Sequence, residues 1–119
     1  MALDDDVRIL SGVKLFHGFA DEQLRLIAFG AERIRLPAGR RLFREADEAD
    51  SAYVVVSGGV RVFNEDKGQK APLAIVGAGA LLGELALIAD TRRLTSAVAD
   101  SDTEVLRLDR RSFRRILEE

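Results

Sequence analysis

From Ile34 to Leu108 the apolar residues come in short runs with a period of two, broken by turn residues. Helical spacing is confined to the two ends of the chain. Ile34 and Leu36 alternate with Arg33 and Arg35, and Pro37-Ala38-Gly39 reads as a turn. Leu42 and Phe43 begin a second strand, followed by an acidic loop from Glu45 to Asp50. Tyr53-Val54-Val55-Val56, the turn Ser57-Gly58-Gly59 and Val60-Arg61-Val62-Phe63 together predict a hairpin. Asn64 to Lys70 is a polar loop holding Gly68, and Leu73 to Val76 is a further strand. Gly77 and Gly79 then break the chain. Gly83 to Ile88 predicts one or two helical turns, Ala89 to Arg93 a polar loop, and Leu94 to Ala99 and Glu104 to Leu108 the last strands.

At the N-terminal end Val7, Leu10 and Val13 suggest a short amphipathic turn or helix. Leu24, Ile27 and Ala28 predict a second one, with Asp21 as its N-cap and Gly30 as its stop. Asp109 is expected to cap a last helix, 110–119, with Phe113, Ile116 and Leu117 on one face. Many short strands with helices only at the ends predict a mainly β fold, a double-stranded β-roll (jelly roll) flanked by N-terminal and C-terminal helices. The expected organisation is one domain over residues 1–119: helices in 1–30, the roll in 31–109 and the C-terminal helix in 110–119.

Composition removes several chemistries. There is no cysteine, so disulfides, thiol nucleophiles and zinc–thiolate sites are excluded. One histidine, His17, is too few for a cupin-like metal enzyme or a Ser-His-Asp triad, and is read as structural or exposed. The acids of the Asp47–Asp50 loop lack the spacing of a calcium site. No metal site and no catalytic residue is therefore expected. Eighteen basic and 20 acidic residues give a net charge of −2, which speaks against a nucleic-acid footprint over the whole surface. The basic run Arg110 to Arg115 reads as a solvated helix face, so this chain alone is not expected to bind nucleic acid. No apolar run approaches the roughly 20 residues of a membrane span. The start, Met1 to Asp6, holds three aspartates in place of a signal peptide's basic residues, which points to a cytoplasmic domain.

The segment from Gly79 to Ile88, with Arg93 nine residues after Glu84, carries the most information about chemistry. Glycine lets backbone approach a ligand closely. A short helix starting at Gly83 and Glu84 exposes unpaired N–H groups, which suit an anion. Arg93 can set a guanidinium on the same anion, and Glu84 can accept a hydrogen bond from a sugar hydroxyl. The combination suits a phosphorylated sugar.

Here the chain resembles the cyclic nucleotide-binding domain family, which includes the catabolite activator protein and the regulatory subunits of cAMP-dependent protein kinase. That family's phosphate-binding cassette reads Phe-Gly-Glu-Leu-Ala-Leu-Ile, a loop, then Arg-x-Ala. This chain has Leu82-Gly83-Glu84-Leu85-Ala86-Leu87-Ile88 and then Arg93-Leu94-Thr95, a cassette over 79–95. The strand pair from Leu42 to Gly58 and the stretch from Glu104 to Leu117 extend the resemblance to nearly the whole chain. It implies a non-catalytic sensor that binds a cyclic nucleotide, cAMP favoured and cGMP second, with no cofactor. It implies that Arg93 pairs with the phosphate, that Glu84 takes the ribose 2′-hydroxyl, and that Gly83 lets the backbone close in. Backbone N–H groups near Leu85, Ala86, Leu94 and Thr95 would complete the site, and Val62, Leu73, Val76 and Leu82 would line the base pocket. The sequence departs from the pattern in three places. Leu82 stands for Phe, Leu94 and Thr95 stand for small residues, and Ala46 stands where a turn glycine is common, so a positive φ there would be strained. The resemblance also implies a lid helix beyond Glu119, and leaves an effector protein or a homodimer open as partners. The rival reading is a degenerate β-roll that mediates protein contacts without nucleotide. It predicts loss of the glutamate or the arginine, and both Glu84 and Arg93 are present.

Overall fold

The computed structural model describes residues 2–118. Three helices, α1 (Ala2–Ser11), α2 (Asp21–Gly30) and α3 (Arg110–Glu118), flank ten short strands. The strands are β1 (Glu32–Leu36), β2 (Arg41–Phe43), β3 (Glu48–Ala49), β4 (Ser51–Ser57), β5 (Val60–Phe63), β6 (Ala74–Val76), β7 (Leu81–Leu82), β8 (Thr91–Arg92), β9 (Ser96–Ala99) and β10 (Thr103–Asp109). Single 3₁₀ turns cover Lys14–Phe16 and Glu84–Leu87. One sheet runs β1-β10-β4-β7, the second β2-β9-β5-β6, and β3 pairs with β8 as a small third sheet. All pairings are antiparallel. This is the predicted mainly β roll with helices at both ends.

Alternation along two strands divides the interior. On β4, Tyr53 and Val55 point between the sheets while Ala52 and Val54 point toward the helices. On β10, Val105 joins the first group, and Leu106 and Leu108 join the second. The first core lies between the sheets and includes Leu36, Phe43, Val60 and Ala97. The second joins the outer face of the β1-β10-β4-β7 sheet to Leu10, Phe16, Leu24, Ile27 and Phe113. Covered on both faces, β4 reads as a nearly continuous apolar run without polar alternation.

Four local expectations change. The Ser57-Gly58-Gly59 turn does not make a hairpin: β4 pairs with β10 and β7, β5 pairs with β9 and β6, and the turn carries the chain from one sheet to the other. Gly58 is needed there because its φ is +84°, and a Cβ would sit 2.3 Å from the Asp102 carbonyl oxygen. The N-cap of α2 is Ala20, whose N–H donates to Gln23 Oε1 at 2.9 Å, while Asp21 and Glu22 occupy the first turn and favour the helix dipole. Gly30 closes that helix from inside, and the cap is Ala31. On α3, Asp109 does cap, accepting from Ser112 N–H at 3.2 Å, and Phe113 packs 5.9 Å from Phe16 and 6.2 Å from Phe19. Leu117 does not follow it inward and is half exposed; Glu119 lies outside the described residues.

Candidate functional site

At the end of β7 the chain turns sharply at Gly83, whose φ of +72° glycine adopts without the strain another residue would carry. A Cβ there would press on Arg93 Nη1 and displace the guanidinium from its place. The 3₁₀ turn that follows is anchored by Ala86 and Leu87, both fully buried, and Leu87 belongs to the core beneath the helices. Ala86 N–H donates to the Gly83 carbonyl at 3.1 Å. The N–H groups of Glu84 and Leu85 precede that first bond and donate to no backbone carbonyl among the described residues.

The chain returns through β8, whose pairing with β3 brings the acidic loop alongside. Arg93 N–H donates to the Asp47 carbonyl at 2.8 Å, and Ala46 N–H donates to the Arg93 carbonyl at 2.8 Å. The backbone of Arg93 is thus clamped on both sides. Ala46 adopts the expected left-handed conformation, φ +74°, a strain on the order of 1 kcal/mol carried beside the site.

The Arg93 side chain enters between the sheets and is only 7% exposed. Its Nη2 donates to Ser51 Oγ at 3.4 Å, and its buried Nη1 has no hydrogen-bond partner. Among the described residues no carboxylate pairs with it. Burial pushes its pKa down, against the pull of Tyr53 and Asp50, yet a guanidinium stays charged at neutral pH. Neighbouring Arg92 is exposed, reaches the Ala46 carbonyl at 3.0 Å and Glu48 at 3.7 Å, and is the solvated member of the pair.

Arg93 forms part of the wall of a cleft of about 220 Å³. Gly83, Glu84, Leu85, Ala86, Arg93, Leu94 and Thr95, seven of the residues singled out in the sequence, line it together. Glu84 and Leu94 are exposed at its rim. The four residues linked by resemblance to the base do not line it. Val62, Val76 and Leu82 pack against the inter-sheet core. Leu73 is 60% exposed: Val76 and Ala74 face Val60 and Val62 in register, so Leu73 and Ile75 alternate to the outside. Phe43, Ala49, Thr91 and the exposed Arg92 complete the cleft, and Ser51 and Tyr53 touch Arg93 from behind. Of these, Phe43, Ala49, Thr91, Ser51 and Tyr53 are not marked by any sequence spacing. Sequence reasoning missed all five. They come from 40 or so residues upstream or from the short β3–β8 pair, and no local spacing links them to Arg93.

The model of the cyclic nucleotide-binding domain matches residues 33–119. The chain is 39% identical over 105 residues to the cyclic AMP receptor protein of Thermus thermophilus, covering 87% of this chain and 49% of that protein. It is 33% identical over 113 residues to a cAMP-dependent protein kinase regulatory subunit of Aspergillus fumigatus, covering 95% of this chain and 25% of the other. The chain therefore spans about half or less of these relatives' length. A solved cyclic nucleotide-binding-like protein from Brucella abortus superposes with a TM-score of 0.87 at 58% identity, covering 98% of this chain and all of that one. No described helix is long and apolar enough to cross a membrane. On the family match over 33–119 and the shared fold, the chain belongs to the cyclic nucleotide-binding domain family.

Proposed function

We propose that this domain binds a cyclic nucleotide, cAMP at least as well as cGMP, and acts as a sensor without performing chemistry. One observation carries the reading: a buried guanidinium without a carboxylate, Arg93, in the wall of a cleft. A buried charge left unpaired costs free energy that an anionic ligand recovers. Arg93 takes the phosphate, helped by the N–H groups of Glu84 and Leu85, free among the described residues, and by those near Leu94 and Thr95. The Ala86 N–H is engaged by the Gly83 carbonyl in the unliganded turn, while Gly83 leaves the guanidinium uncovered by side chain. The Glu84 carboxylate accepts from the ribose 2′-hydroxyl. At about 220 Å³ the cleft is smaller than the ~300 Å³ at which pockets enclose a small ligand, so it takes the phosphoribose and leaves the base outside. Leu82, Val62 and Val76 are the apolar candidates for the base, with Leu73 at the outer edge of the same strand pair. Leu94 offers no hydroxyl beside the phosphate arginine, and nothing there favours the guanine amino group.

The relatives support the same reading, since two are named for cyclic AMP. The domain's place is the cytoplasm, and its output is an effector protein or a second copy. Calorimetric titration with cAMP and cGMP tests the proposal. Saturable heat with cAMP is expected; no heat and no thermal shift at millimolar concentrations of either nucleotide would overturn it, and a tenfold preference for cGMP would overturn the specificity.

A further inference from the structure

The guanidinium of Arg93 lies over the Phe43 ring with the Tyr53 ring beside it, and few of its donors are taken. Its Cζ lies 4.4 Å from the centroid of the Phe43 ring and 5.5 Å from that of Tyr53. The two rings come from facing sheets, Phe43 from the end of β2 and Tyr53 from β4, and their centroids are 5.9 Å apart. Both are buried. A buried cation is ordinarily neutralised by a carboxylate that occupies its N–H donors. Here, among the described residues, the polar contacts of the guanidinium are reduced to the long bond from Nη2 to Ser51, and Nη1 has none. An aromatic face attracts a cation through its quadrupole without consuming a donor. The ring contact therefore holds the cation in place and leaves its donors for a bidentate anion.

We propose that Phe43, with Tyr53 beside it, is a positioning residue that stands in for the missing carboxylate and presents Arg93 with its full charge to the anionic group of the ligand. The role of Phe43 in binding rests on the nucleotide reading above; the platform itself is a property of the unliganded chain. The arrangement also accounts for a phenylalanine at the mouth of the cleft. Phe43 lies at the edge of the inter-sheet core and lines the site at the same time.

Two measurements test this separately. In the unliganded domain, the Nε–H proton of Arg93, assigned by its loss in Arg93→Lys, is expected to be shifted by the ring current away from the exposed arginines. Phe43→Leu should return it toward them. By calorimetry with cAMP, Phe43→Leu should bind about tenfold more weakly, the scale of a desolvated cation–π contact. Phe43→Tyr, which keeps the ring, should bind like the wild type. Phe43→Met replaces the leucine variant if that one fails to fold. An unshifted Arg93 resonance, or a leucine or methionine variant that binds cAMP as tightly as the wild type, overturns the proposal, and a lowered melting temperature alone would assign Phe43 to packing. A shifted resonance in a domain that takes neither cAMP nor cGMP would support the platform and sink the nucleotide reading.

Discussion

Arg93 sets function against stability at a single position. Its charge is buried, yet the fold supplies only the Ser51 hydroxyl and two aromatic faces to hold it. Removing it should abolish nucleotide binding: a desolvated charge pair lost on one side costs roughly 2–5 kcal/mol, or about 30-fold to several thousandfold in affinity. Arg92→Ala should cost far less, because that side chain, although at the cleft, is exposed and already engaged by Glu48 and the Ala46 carbonyl. Arg93→Met should do the reverse to stability. An apolar chain of similar length keeps the contact with Phe43 and Tyr53 and dispenses with the buried charge, so urea unfolding of the free domain should show a gain of about 1 kcal/mol or more. Equal loss of binding in Arg92→Ala and Arg93→Ala, or a less stable Arg93→Met, would contradict this account. At this scale the sequence was informative where chemistry follows from local spacing, as with Gly83, Glu84 and Arg93. It was silent on Phe43, Ser51 and Tyr53, which reach Arg93 only through the closure of two sheets.

The cassette is tied to α3 by side chains that belong to the helix. Arg110 Nη1 donates to the carbonyls of Ala49 at 3.2 Å, Ala86 at 3.3 Å and Ala89 at 2.7 Å, and Arg114 Nη2 donates to the carbonyl of Ile88 at 3.2 Å. Two arginines of the basic run thus occupy the carbonyl end of the segment whose N–H end faces the cleft. The run is only in part the solvated face that its charge suggested. Because one rigid turn carries both ends, ordering it around a phosphate should tighten these bonds, and α3 should respond without touching ligand. Hydrogen exchange is expected to slow in residues 110–118 as well as 83–95 when cAMP is added. Arg110→Met should weaken binding roughly tenfold, near the low end of the 1.5–3 kcal/mol of a charged hydrogen bond. Protection confined to 83–95, or unchanged affinity in Arg110→Met, would show that α3 is merely attached. The helices and most strands were legible from period and punctuation. The β4–β5 hairpin was misread because Ser57-Gly58-Gly59 has the composition of a tight turn. Only the long-range pairing of β4 with β10 and of β5 with β9 shows that it is a crossing between sheets. The two-residue strands β3 and β8 are too short to carry any alternation.

Helices and roll share one sheet, and that sharing decides how the molecule comes apart. The β1-β10-β4-β7 sheet has the inter-sheet core on one face and the helical core on the other, with Val54 and Leu106 turned to the helices and Val55 and Val105 turned inward. All four are at most 1% exposed. Losing the helices would bare one whole face of β4 and β10, and losing the roll would leave the helices without a surface to pack on. Neither part keeps its apolar surface covered alone, so the domain should unfold in one cooperative step. The composition supplies a clean test. There is no tryptophan and one tyrosine, Tyr53, which lies in the inter-sheet core, so intrinsic fluorescence reports the roll. Ellipticity at the helical band reports largely α1, α2 and α3. Urea transitions followed by the two signals should coincide. Leu106→Ala, a truncation on the helical face, should shift both midpoints together by the roughly 2–5 kcal/mol of a buried leucine deletion. A helical signal lost at lower urea than the tyrosine signal, or a Leu106→Ala shift confined to it, would show that the helices melt from a roll that stands by itself. The proposed transmission from cassette to α3 would then have to act through local unfolding of the helices, because a packed interface would no longer be there to carry it.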